Sequence, residues 1–84
     1  MIQNKKAVFK ERSLEENAYY WGCVIEKINK FKHWQSEKSH EWVKDTFNIN
    51  STADLTTFEF EILMTSVRGL CLEFWSLEIP KPNE

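Results

Sequence analysis

From Leu14 onward, apolar residues return at every third or fourth position. Leu14, Ala18, Trp21, Ile25 and Ile28 form one row, and Tyr20, Val24 and Phe31 widen it to one side. That spacing is one face of an α-helix, and it predicts a first helix from Ser13 to about Lys32. The start has a local cause: Ser13 and Glu16 make the S-x-x-E pattern of a capping box. Hydroxyl and carboxylate there each satisfy a backbone amide that the first turn leaves open. Glu15 and Glu16 also suit the positive end of the helix dipole. Gly22, in the interior, costs about 1 kcal/mol against alanine, which predicts close approach by another element.

After this helix the pattern breaks twice. His33 to Lys38 is polar apart from Trp34 and reads as a linker. A shorter second helix is expected from about Ser39 to Phe47, capped by Ser36 or Ser39, with Val43 and Phe47 facing inward. Asn48-Ile49-Asn50-Ser51-Thr52 interrupts it, because Asn and Ser hydrogen-bond their own backbone. A second capping box, Thr56 with Glu59, opens a third helix. Phe60, Leu63, Val67, Leu70, Cys71 and Phe74 give it a broad apolar stripe ending near Trp75. Ile79-Pro80-Lys81-Pro82 cannot continue it, since proline lacks the amide and clashes with the preceding turn. At the amino end, Ala7-Val8-Phe9 suits a short strand, and residues 1–6 show no periodicity. The fold class is therefore mainly α: a three-helix domain with a short N-terminal β-strand, one domain over 1–84.

Composition changes that picture in one respect. A chain of 84 residues buries a thin core, yet this one holds six Phe, four Trp and two Tyr. Several of these rings are expected at an interface or a ligand face. The net charge of −2 excludes a simple polyelectrolyte grip on DNA. Its distribution is uneven: Lys5, Lys6, Lys10 and Arg12 against Glu11 make residues 1–12 net +3, while residues 53–84 are net −4. Such an asymmetry fits an anionic ligand, and equally fits pairing of the two ends within or between chains.

Cys23 and Cys71 lack metal-ligand spacing and fall on apolar helical segments, so both are expected as buried free thiols. With no signal-like segment and no apolar run of membrane length, a cytoplasmic location and no membrane partner are expected. Catalysis finds little support. His40-Glu41 begins like a zinc-binding helix, but position 44 is Lys where the second histidine would stand, so no metal is expected. The only glycines are Gly22 and Gly69, too few for a phosphate loop. No enzyme and no cofactor are expected. Single-strand binders instead combine phosphate-tracking cations with aromatic faces. Arg12 precedes a helix whose open amides attract phosphate, and Lys10, Asn17, Tyr20, Lys27, Lys30 and Trp34 could join it. Tyr20 and Trp21 lie on or beside the apolar face, where core packing is the competing role.

Several of these residues fall into a recognisable order. Arg12-Ser13-Leu14-x-x-Asn17-x-x-Tyr20-Trp21 resembles the RSLxQN…YW signature of the NinB (Orf) family of phage recombination proteins. His40-Glu41-x-Val43-Lys44-x-x-Phe47 is similar to the family's HExLKxxF helix. Ser51-Thr52-x-x-Leu55-x-x-x-x-Phe60 resembles its entry to the last helix, and Ile79-Pro80-x-Pro82 its tail. The likeness spans roughly residues 8–84. It implies a recombination mediator of a phage or prophage, in the cytoplasm of a bacterial host. Such a protein would bind single-stranded DNA, contact single-strand-binding protein and work as a homodimer. Carried over position by position, it implies nucleic-acid contacts by Arg12, Asn17, His40, Lys44, Ser51 and Thr52. Arg12 would hold a phosphate and Asn17 orient it or a loop. His40 and Lys44 would extend the cationic track. Ser51 and Thr52 would bond phosphate or fix the loop before the third helix. The alternative, from another class, is a non-catalytic homodimeric protein-interaction module.

Overall fold

The computed structural model describes residues 14–82. The expected strand at 7–9, Arg12 and the Ser13 half of the first capping box lie outside the described residues. Among the described residues the architecture is three helices and no strand. The first, α1, is continuous but not uniform: an α-helical segment Leu14–Tyr19, a π-helical turn Tyr20–Val24, and a second α-helical segment Ile25–Lys32. Helix α2 spans Ser36–Thr46 and α3 spans Thr57–Trp75, with a short 3-10 turn Thr52–Asp54 between them.

The π turn corrects the expected inward face of α1. Ile25 donates its N–H to the carbonyl of Tyr20, five residues back, so one extra residue is wound into that turn. Counting back from Ile25, Tyr20 takes the inward place that a regular helix would give Trp21. Tyr20, Val24, Ile25 and Ile28 are all fully buried, whereas Trp21 is 42% and Phe31 43% exposed. Ala18, also expected in the row, is exposed. Gly22 sits inside the π turn, exposed, and a Cβ built there meets nothing within 4 Å. The close approach expected at Gly22 is absent.

Helix α1 ends where His33 enters the left-handed region at φ 61° and its N–H bonds the carbonyl of Asn29. The linker is only His33-Trp34-Gln35, because α2 starts at Ser36, three residues before the expected Ser39. Neither serine caps it: Gln35 is the N-cap and makes no side-chain cap bond. Instead the side chain of Asn29 hydrogen-bonds both Ser36 and the fully buried Ser39. A tertiary bond from α1 thus organises the first turns of α2, which the local sequence signals could not report.

The second capping box forms as expected. Glu59 donates its N–H to Thr56 Oγ1 at 3.1 Å, and Thr56 donates its N–H to Glu59 Oε1 at 2.9 Å. Phe60, Leu63, Met64, Val67 and Cys71 form the buried side of α3 and pack with Tyr20, Val24, Ile25, Ile28 and Val43. Phe74 is 70% exposed, so the fully buried row stops at Cys71, while Trp75 in the last turn packs against the edge of the core. After Ser76, at φ 53°, the tail folds back and buries Ile79. It is latched there, since the Tyr19 hydroxyl donates to the Pro80 carbonyl at 2.6 Å and accepts from Arg68 at 3.0 Å.

Both cysteines are free and Cys71 is buried, as expected, whereas Cys23 is only half-buried. Burial pushes the Cys71 thiol up to about 11, so little nucleophilic thiolate exists at neutral pH. Among the described residues, no helix is long and apolar enough to cross a membrane.

Candidate nucleic-acid interface

Of the six residues implied by the family resemblance, the structure draws two together. His40 and Lys44 lie one turn apart on α2, on the flank that meets α1 at the π turn. Tyr20 and His40 share a hydrogen bond of 2.7 Å between the hydroxyl and Nδ1. The Trp21 ring lies against the imidazole with centroids 4.8 Å apart, and Tyr20 also meets Phe60 edge-on at 5.8 Å. The π turn is what allows this, because it sends Tyr20 inward while leaving Trp21 on the rim over His40.

This environment gives His40 a different role from a phosphate ligand. Burial lowers its pKa from the ordinary 6.5, the positive charge of Lys44 lowers it further, and Glu41 opposes weakly. The ring is therefore neutral at pH 7 and adds no positive charge to a cationic track. Lys44 itself pairs with Glu41 at 3.3 Å. Because the folded state holds a proton at His40 less readily than the unfolded chain, the linkage has a defined sign. Stability associated with His40 is complete above about pH 6.5 and is lost as pH falls through the lowered folded value. Urea unfolding of wild type and His40→Gln, compared between about pH 7 and pH 5, should show a steeper loss for wild type.

Asn17, Ser51 and Thr52 lie on other elements. Asn17 is half-buried in the first segment of α1. Ser51 accepts the Ala53 N–H at 3.2 Å and so caps the 3-10 turn, while Thr52 is buried at 7% exposure. Ser51 thus fixes the loop before α3, one of the two roles weighed for it, and Thr52 opens the 3-10 turn there.

A second constellation was visible in the sequence only through Trp34, Lys27 and Lys30. Trp34 from the linker, Trp42 from α2 and Trp75 from the end of α3 converge, and Phe31 of α1 joins them. Trp42 and Trp75 have centroids 4.9 Å apart, Trp34 lies 6.5 Å from Trp42 and 6.4 Å from Trp75, and Phe31 stacks on Trp75 at 5.4 Å. The three indoles are half-buried, so part of their π surface faces outward. Lys32 Nζ lies 5.3 Å from the Trp34 centroid and 4.8 Å from that of Trp75, and Lys38 Nζ 5.2 Å from that of Trp34. All three distances are within cation–π range. The surrounding segment, residues 27–38, carries Lys27, Lys30, Lys32 and Lys38 against Glu37 alone, a local +3 in a chain of net −2. Lys30 and Lys32 also suit the negative end of the α1 dipole, so part of this clustering serves the helix itself. Lys38 and Trp42 lie on the flank of α2 opposite His40 and Lys44.

A groove of about 650 Å³ runs between α1 and α3 and is lined in part by Tyr19, Phe60, Met64 and Arg68. Glu15, Glu16 and Glu61 also border it, which disfavours an anionic ligand, and Arg68 is bonded there to Tyr19 and Thr65. Among the described residues no group of three His, Cys, Asp or Glu side chains could hold a metal ion. No family model, curated protein or solved structure matches the chain.

Proposed function

We propose that this chain is a non-catalytic phage recombination protein that binds single-stranded DNA, with bases stacking on the Trp34–Trp42–Trp75 platform. The observation that carries the reading is the coincidence of these indole faces with the +3 segment at residues 27–38. Every base has a π face, so stacking on an aromatic side chain tolerates any sequence and contributes about 1–3 kcal/mol per base. A duplex hides those faces within its own stack. It also depends on many phosphate contacts for affinity, more than four lysines in a net acidic chain supply. An unpaired strand suits this surface better.

Lys32 and Lys38 have a defined part in this reading. Each ammonium rests over an indole in the free protein. An arriving strand offers phosphate oxygens beside those rings, and the lysines exchange a ring contact for an ion pair while vacating the π face for a base. The ordered likeness to the NinB-family motifs supports the same ligand class. It also implies contacts by Arg12 and Lys44, and Lys44 lies on the flank of α2 away from the indole platform. Titration of a short oligothymidylate at low salt, followed by tryptophan emission, should show saturable quenching that weakens as salt rises. A duplex of equal length should bind less. Absence of any single-strand binding at low salt would refute the proposal.

A further inference from the structure

The groove between α1 and α3, about 650 Å³, has the size of a ligand site, and its lining is of two kinds. Tyr19, Phe60, Met64 and Pro82 supply apolar wall. Glu15, Glu16 and Glu61 outnumber Arg68 among the described lining residues, a net of −2. Glu15 and Glu61 are exposed, and Arg68 turns its guanidinium to the neutral oxygens of Tyr19 and Thr65. Such a lining suits an occupant that joins apolar side chains to positive charge.

We propose that the occupant is the chain's own amino-terminal segment, residues 1–12, which lies outside the described residues. Three observations point to it. The first is charge: Lys5, Lys6, Lys10 and Arg12 against Glu11 give the segment +3, opposite in sign to the groove. The second is side-chain character. Ala7-Val8-Phe9 falls between Lys6 and Lys10 and so sets an apolar anchor between cations, as the groove sets apolar wall between carboxylates. The third is position. Helix α1 begins at Leu14, and the next two residues, Glu15 and Glu16, already line the groove. Lys10 lies four residues before Leu14, a span of at most about 14 Å, so the segment leaves the helix at the rim it fills. A short tether also gives it an effective concentration of about a millimolar, which a basic peptide arriving from solution has to match. The charge asymmetry between the two ends of the chain thereby gains a location, and the thin three-helix core gains cover. This seating stands independently of the nucleic-acid reading.

The full chain tests it in two ways. In a Cys23→Ser background, Phe9→Cys combined with Thr65→Cys should be joined within one chain by a short bis-maleimide. Phe9→Cys combined with Glu73→Cys, near the far end of α3, should not. Limited trypsin digestion reads the same contact through its charge. Cleavage after Lys10 and Arg12 should be about 3- to 10-fold faster in Glu61→Lys than in wild type, with an unchanged circular dichroism spectrum. Rising salt should bring wild type toward the variant. Phe9→Ser, which leaves residues 14–82 unaltered, should speed cleavage in the same way. Equal rates in wild type and both variants, or equal cross-linking to Thr65→Cys and Glu73→Cys, overturns the proposal. Cross-links found only between chains would hand the groove to the segment of a second copy and overturn its assignment to the same chain.

Discussion

Phe60→Ala should remove a large part of the chain's stability, while Phe58→Ala, two residues away on the same helix, should leave the isolated chain almost unchanged. Phe60 is 1% exposed and meets Tyr20 edge-on, whereas Phe58 is 73% exposed. Removing a buried phenyl ring costs about 3–5 kcal/mol through lost transfer energy and the cavity left behind. A domain of this size has about 4–13 kcal/mol in total, at the usual stability per residue. Only the bottom of that range, up to about 5 kcal/mol, does not survive the loss. Exposed substitutions stay within about 0.5 kcal/mol. Guanidinium unfolding at dilute protein concentration, where self-association contributes nothing, checks both. Similar losses for the two variants would mean that α3 presents the wrong side to the core.

Much of this fold could be read in the sequence because its signals are local. Thr56 and Glu59 lie within one helical turn of each other, so the capping box that starts α3 needs no distant partner. Pro80 and Pro82 forbid helix by their own covalent structure. The end of α1 near Lys32 and the end of α3 at Trp75 follow the same logic. The failures share a different cause. Whether the turn at Tyr20–Val24 winds as α or π depends on what Tyr20 gains by turning inward to His40 and Phe60, residues 20 and 40 positions away. The early start of α2 depends on Asn29 reaching across to Ser36 and Ser39. Neither contact leaves a mark in the periodicity.

The candidate site shows the same division. His40 and Lys44 are chemically conspicuous, but their roles are set by neighbours: a tyrosine hydroxyl, an indole and Glu41. The tryptophan platform draws on the linker, α2 and α3, with its rings 8 and then 33 residues apart, so no motif joins them. An excess of aromatic rings over core volume was the one sequence-level sign that some would face outward. The exposed apolar row of α3 was readable. Phe58, Ile62 and Leu72 recur at helical spacing and are exposed, but the broader stripe opposite them accounted for the helix and concealed the second one.

Single-strand affinity should separate into a stacking part and a charge part that respond to different substitutions. Trp34 is the informative ring, because it sits on the linker and is half-buried, whereas Trp75 touches Phe31, Trp34 and Trp42 and its loss would disturb the whole cluster. Trp34→Ala should cost about 1–3 kcal/mol for a stacked base, roughly a 5- to 150-fold rise in Kd, and leave the salt dependence unchanged. Lys32→Gln and Lys38→Gln should each reduce the slope of log K against log salt by about 0.7, the share of one phosphate contact on a single strand. Their effect should shrink at high salt, where that of Trp34→Ala persists. Lys44→Ala, on the opposite flank of α2 and paired with Glu41, should change neither quantity appreciably. Fluorescence titrations at three or more salt concentrations measure both parts. Wild-type affinity for Trp34→Ala combined with a large loss for Lys44→Ala would move the binding strip to the Trp21 and His40 side of α2, and the indole platform would then be packing alone.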